Sequence, residues 1–242
     1  SRSFSISGVI FNLKLIVFYY KKRLINLLVN MIITSGNSGI DSFLEGGYDN
    51  EITVIYGPAG TGKTTLCLQA ALCQAENKKV LFLDTEINFS VERIKQLLNG
   101  RNINTLDNIL VTKVKSFKIQ QDQIKNIASI IKTGKFSLII VDSIGHFYRS
   151  LLKKKPDLAN KMLYSQLKML KDISKRLPVI ITNQVYTDID TNTIKMVGNN
   201  IISEFSNKTL RLENLEKRVI YLLKPMRKTA YFKILETGIE II

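Results

Sequence analysis

The run Ile52-Thr-Val-Ile-Tyr56 feeds directly into Gly57-Pro-Ala-Gly-Thr-Gly-Lys-Thr-Thr65, and this junction constrains the fold more than any other stretch. The apolar, β-branched run predicts a buried strand. The loop after it matches the pattern G-x-x-x-x-G-K-[ST], and Thr64-Thr-Leu-Cys-Leu-Gln-Ala-Ala-Leu72 continues with helical periodicity. A strand, a glycine-rich loop and a helix in immediate succession predict an α/β domain built on a mostly parallel sheet.

Glycine permits consecutive backbone N–H groups to turn inward without a Cβ clash, and the helix that follows points its positive dipole end into the same concavity. Polyphosphate is the ligand such a loop suits. Gly57, Pro58, Ala59, Gly60, Thr61, Gly62, Lys63, Thr64 and Thr65 are therefore the candidate nucleotide-binding residues, with Lys63 against the outer phosphates and the Thr64 hydroxyl on a magnesium ion. The competing reading is a glycine-rich turn ahead of an ordinary helix.

The length of 242 residues and a 45% hydrophobic composition suit one large α/β domain with a buried core. A formal net charge of +15 favours a polyanionic partner beyond the nucleotide. Residues 1–30 contain five basic residues and no acidic one, leaving +10 on residues 31–242. That first segment is read as a basic and apolar extension outside the functional domain, with a membrane-surface helix, an edge strand or an oligomerisation arm as alternatives. Lys14 interrupts its apolar run, so stable membrane insertion is not expected. Cys67 and Cys73 match neither a zinc nor a redox spacing and are expected to pack in the core.

Further along, Lys79-Val-Leu-Phe-Leu-Asp-Thr85 reads as a strand buried on both faces, with Glu86 just past its carboxyl end, where open α/β sheets collect ligands. Ser90-Val-Glu-Arg93 predicts a capped helix start. Phe136-Ser-Leu-Ile-Ile-Val-Asp-Ser143 is a buried strand ending in a carboxylate, and Asp142 is the second candidate magnesium residue, acting through its water shell. A long amphipathic helix is expected over 158–175 and a buried strand over 178–182, closed by Asn183-Gln184. Residues 185–200 are polar and turn-rich and predict a mobile loop. Three short strands at 209–212, 219–223 and 231–235 predict an antiparallel extension of the sheet.

Gly57-Pro-Ala-Gly-Thr-Gly-Lys-Thr-Thr65, Asp84-Thr-Glu86, Leu138-Ile-Ile-Val-Asp-Ser143 and Thr182-Asn-Gln-Val-Tyr-Thr-Asp188 together resemble the core of the RecA/RadA-type recombinases, most of all the archaeal RadB branch. The resemblance spans roughly residues 35–240. Ser90 stands where RadA-like sequences carry an arginine near the adenine, and no Phe-x-x-Ala polymerisation motif precedes the loop. The resemblance implies a RecA-like P-loop NTPase in the cytoplasm that takes ATP and Mg²⁺, hydrolyses ATP weakly or conditionally, and binds single- or double-stranded DNA. It also implies a RadA-type recombinase as partner and possible self-association.

Within that resemblance Glu86 aligns with the glutamate that orients the attacking water, and Gln184 with the glutamine that reports the terminal phosphate to a DNA-binding loop. Each has a plainer reading, a solvated strand-end carboxylate and a strand cap. Lys224-Pro-Met-Arg227 stands where the related KaiC-like proteins carry a basic finger, one residue longer here, which makes Arg227 a candidate cation supplied to a neighbouring subunit. The alternative function is a KaiC-like regulatory ATPase that binds protein and not DNA. Arg149, Lys153, Lys154 and Lys155, with the loop at 185–200, are the expected DNA contacts, and no further cation for the site is evident within the same core. His146 is read as structural.

Overall fold

Six of the β-branched runs pair in parallel because each carries apolar side chains on both faces and needs cover on both. The computed structural model describes residues 31–188 and 193–242, and the expectations for residues 1–30 lie outside the described residues. In chain order the strands are β1 (Ile52–Tyr56), β2 (Lys79–Asp84), β3 (Ile109–Lys113), β4 (Phe136–Asp142), β5 (Val179–Asn183), β6 (Val185–Asp188), β7 (Thr193–Met196), β8 (Lys208–Asn214), β9 (Arg218–Lys224), β10 (Lys228–Leu235) and β11 (Gly238–Ile241). The helices are α1 (Ser38–Phe43), α2 (Lys63–Ala75), α3 (Val91–Leu98), α4 (Phe117–Ile130), α5 (His146–Leu152), α6 (Pro156–Ser174) and α7 (Asn199–Phe205).

Among the described residues nine strands form one sheet in the order β3-β2-β4-β5-β1-β8-β9-β10-β11. The first six are parallel and the last three antiparallel, as expected of a RecA-like core with a carboxyl-terminal extension. β4 is buried along its whole length. Helix α2 packs on β2, β4 and β5 with α3 beside it, while α6 packs on β1 and β5 and carries α4, α5 and α7. Among the described residues no helix is long and apolar enough to cross a membrane.

Register aligns the carboxyl ends of the central strands. Tyr56 lies beside Asn183, and Asp84 beside Asp142, so the loops leaving β1, β2, β4 and β5 open on one edge. Helix starts are fixed locally: the side chains of Asn37, Ser90 and Ser116 accept hydrogen bonds from the first turns of α1, α3 and α4. Gly62, which begins α2 at φ +105°, offers no side-chain cap and leaves that helix's N–H groups facing the loop.

Two readings need correction. Residues 185–188 and 193–200, expected in a mobile loop, carry regular structure: β6 and β7 pair antiparallel, and α7 begins at Asn199. Pairing satisfies the backbone of polar residues as well as of apolar ones, and the buried Met196 and Val197 anchor the return. Residues 38–43 form the short helix α1, capped by the Asn37 side chain, which accepts from the Ile40 N–H. The carboxyl-terminal extension has a fourth strand, β11, too short for its alternation to stand out, which places Ile239 against α2.

Candidate functional site

The P-loop between β1 and α2 is held in shape by its own polar groups. Thr61 Oγ1 donates to the Pro58 carbonyl at 2.9 Å, and Lys63 Nζ donates to the Gly57 and Pro58 carbonyls at 2.8 Å each. A Cβ on Gly57 would lie 2.2 Å from the Leu212 carbonyl oxygen, so only glycine lets the loop leave β1 this close to β8. Burial lowers the Lys63 pKa while the Asp142 and Glu86 carboxylates oppose that shift. The ammonium is thus a positive group kept partly dry inside the loop, where its charge acts strongly on phosphate.

Asp142 ends β4 beneath the loop. The Thr64 hydroxyl donates to its Oδ2 at 2.8 Å and the Thr182 hydroxyl donates to its Oδ1. Burial raises the Asp142 pKa, the two hydroxyls pull it back, and the Glu86 and Asp84 carboxylates raise it further. A divalent cation here would offset the same desolvation and repulsion. Among the described residues no cluster of three or more His, Cys, Asp or Glu side chains forms a metal cage. Magnesium keeps several waters and takes one or two protein ligands plus substrate phosphates, a need that a hydroxyl and a carboxylate would meet. Thr64 and Asp142 are the residues that would hold it.

Glu86 lies across from Lys63. Its Oε1 accepts from Ser143 Oγ at 2.6 Å and from Gln184 Nε2 at 2.7 Å, and its Oε2 accepts from Asn88 Nδ2 at 3.3 Å. The turn that presents it is built by Asp84, whose two carboxylate oxygens accept from the Asn88 and Phe89 backbone N–H groups. Ile87, next to Glu86, sits at φ +57°, a costly conformation for a β-branched residue that the surrounding hydrogen bonds impose. Glu86 and Gln184, 98 positions apart in sequence, are thus directly bonded.

A cavity of about 250 Å³ is lined by Gly57, Pro58, Ala59, Lys63, Glu86, Arg149, Gln184 and Val185. Sequence reasoning singled out all of these, but assigned Arg149 and Val185 to DNA alone and saw no further cation in the same core. A second basic group it missed is Arg218, whose Nη1 donates to the Gly60 carbonyl at 2.9 Å and braces the loop from β9. Ser143 and Asn88 were also missed as the groups that hold Glu86. The only local signal for Ser143 was its place directly after Asp142.

A larger cavity of about 810 Å³ lies between α5 and the hairpin. Its walls are Tyr148, Arg149 and Leu152 from α5, Lys153 just after it, Asn160 from α6, Tyr186 and Lys195 from the hairpin, and residues 197–201. The structure therefore joins Arg149 and Lys153 to the 185–200 segment, whereas Lys154 and Lys155 are exposed and do not line the cavity. His146 packs its ring edge on Phe147 and lines neither cavity. Cys67 and Cys73 are free thiols, and burial raises the pKa of both.

Arg227 lies elsewhere. Lys224 is opposite Thr209, and Lys208 is beside Thr53, so the 225–227 turn is at the amino edge of the parallel strands. At about 3.3 Å per residue and 4.8 Å between strands, it sits on the order of 15 Å from its own P-loop. Lys224 Nζ donates to the Ser203 carbonyl at 2.8 Å, and Arg227 is exposed.

A phosphate loop at the carboxyl edge of a parallel sheet, a buried strand-end aspartate on the loop threonine and a carboxylate across from the loop lysine define a P-loop NTPase of RecA-like fold. The sequence model of the Rad51 family matches residues 27–241. The chain is 36% identical over 221 residues to the DNA repair and recombination protein RadB of Thermococcus sibiricus, covering 86% of this chain and 95% of that protein. It is 34% identical over 220 residues to the protein of the same name from Archaeoglobus fulgidus, covering 87% and 98%. For that of Methanocaldococcus jannaschii the identity is 36% over 200 residues, covering 79% and 93%. The chain belongs to the Rad51 family of RecA/RadA-type recombinases.

Proposed function

We propose that this chain is an ATP- and DNA-binding recombinase paralogue of DNA repair and homologous recombination, with slow or DNA-dependent ATP hydrolysis. The observation that carries this reading is the contiguity of two sites. Gln184 is bonded to Glu86 in the nucleotide cavity and is followed at once by β6, which walls the basic and aromatic groove. A nucleotide that moves Gln184 acts directly on the hairpin. The KaiC-like alternative is not favoured, because relatives spanning most of the chain are named as DNA repair and recombination proteins.

In this reading the P-loop N–H groups and Lys63 hold the triphosphate, and Glu86 orients a water and accepts its proton. Ser143, Asn88 and Gln184 fix the carboxylate, so little reorganisation accompanies the reaction. Magnesium supplies Lewis-acid stabilisation of charge on the phosphoryl oxygens. Tyr186 offers an exposed ring in the same groove as Arg149, Lys153 and Lys195, a combination suited to single-stranded nucleic acid. DNA, a RadA-type recombinase and further copies of this chain are the proposed partners.

Two measurements test the reading. Lys63→Ala leaves phosphate charge uncompensated, so calorimetric affinity for ATP with magnesium should fall by about tenfold or more. Unchanged affinity would remove the P-loop assignment. Neutralising Lys153, Lys154 and Lys155 together should weaken DNA binding across sequences and flatten the log–log salt slope by about 1–3 units, since each lost phosphate contact contributes about 0.7–0.9. An unchanged slope would place the DNA site on another surface.

A further inference from the structure

Among the described residues, Arg149 is the one side chain that lines both the nucleotide cavity and the groove. It is exposed, and among the described residues its guanidinium has neither a hydrogen-bond nor an ion-pair partner. Its backbone position is well defined. The Arg149 N–H donates to the Gly145 carbonyl at 3.0 Å, and Gly145 is pressed so closely on Asn183 that a Cβ there would lie 2.2 Å from Asn183 Oδ1. Asn183 in turn donates through Nδ2 to the Val197 carbonyl at 2.7 Å, tying the end of β5 to the hairpin's return. Tyr148, the adjoining residue, is buried, donates to Asn160 Oδ1 at 2.8 Å and packs under Gly198. Three segments that wall the two cavities are thereby fixed around the base of one exposed guanidinium.

The charge in the small cavity sets what that guanidinium meets. Among the described residues Glu86 is the only acidic side chain lining it, and three donors already engage its carboxylate. Bound triphosphate adds several negative charges on one side of Arg149, and a nucleic-acid phosphate adds another on the other side. Two polyanions in neighbouring cavities repel one another, and a planar cation with five donors placed between them screens that repulsion and bonds both.

We propose that Arg149 is a shared positioning cation that makes simultaneous occupation by nucleoside triphosphate and nucleic acid less unfavourable, coupling the two sites within one chain. This rests on the function proposed above and goes beyond it by assigning the coupling to a single side chain. The sign is definite. Removing the cation lowers the ratio of DNA affinity with nucleotide to DNA affinity without it, whatever that ratio is in the unaltered chain.

The test measures binding of a fluorescent dT oligonucleotide to the full chain with and without a non-hydrolysable ATP analogue and magnesium, and the reciprocal titration of the analogue with and without the oligonucleotide. Arg149→Gln should lower the ratio by about 5- to 50-fold, with the same factor in both directions because binding linkage is reciprocal. Arg149→Lys, which keeps charge but not the fork, should restore part of it. Lys153→Gln, on the groove alone, should weaken DNA binding yet leave the ratio within about twofold. If the unaltered chain binds both ligands and Arg149→Gln leaves the ratio unchanged or raises it, the shared role is overturned while the proposed function stands. If the unaltered chain fails to bind either ligand, the proposed function falls and takes this inference with it.

Discussion

Glu86→Gln should leave ATP affinity within a few-fold and lower single-turnover phosphate release by about 10²–10⁴-fold, the range that a positioned general base contributes. The geometry makes this substitution informative. An amide keeps the size of the carboxylate, and its oxygen can still accept from Ser143 and Gln184, which now donate at 2.6 and 2.7 Å to the same oxygen. What it loses is the ability to take a proton from water. Lys63, Thr64 and Asp142, which carry the binding contacts, are untouched, so calorimetric binding is the control. Release within about twofold of the unaltered chain would mean that Glu86 is a strand-end carboxylate tethering Gln184 and not the base.

Arg227→Ala should reduce hydrolysis by up to about 10³–10⁵-fold if its guanidinium reaches the phosphoryl group of a neighbouring subunit. Register excludes the same-chain route, because the 225–227 turn is at the amino edge of the parallel strands and the P-loop at the carboxyl edge. A head-to-tail assembly brings those edges together. Mixing Lys63→Ala with Arg227→Ala in equal amounts then pairs an intact loop with an intact arginine at about one interface in four, and activity should recover to about that fraction. No recovery, at concentrations where the unaltered chain self-associates, would rule this arrangement out and make the 225–227 turn an ordinary basic surface.

How much of this was legible in the chain depends on sequence distance. β1, the loop and α2 occupy residues 52–75 without a break, and local rules of β-branching, glycine conformation and helical period suffice to specify them. Asp142 and Glu86 were also legible, each standing at or just past the carboxyl end of a continuous apolar run, and parallel packing brings those ends to one edge. The 185–196 hairpin was not legible. Its pairing uses backbone groups, Tyr186 and Ile194 face solvent, and hydrophobic alternation therefore says little about it.

The sequence by itself determined the class of fold, the phosphate loop and the two carboxylates, since each is specified by residues adjacent in the chain. Only the tertiary structure decided which cations belong to the site. Arg149 lies 86 positions after Lys63 in the chain and enters the cavity because β4 and β5 are neighbours and α5 leaves β4 beside the hairpin. Arg227 is removed from its own nucleotide because β9 runs antiparallel to β8. Strand order and strand direction are set by long-range burial of apolar faces, a property of the whole chain that no local spacing encodes.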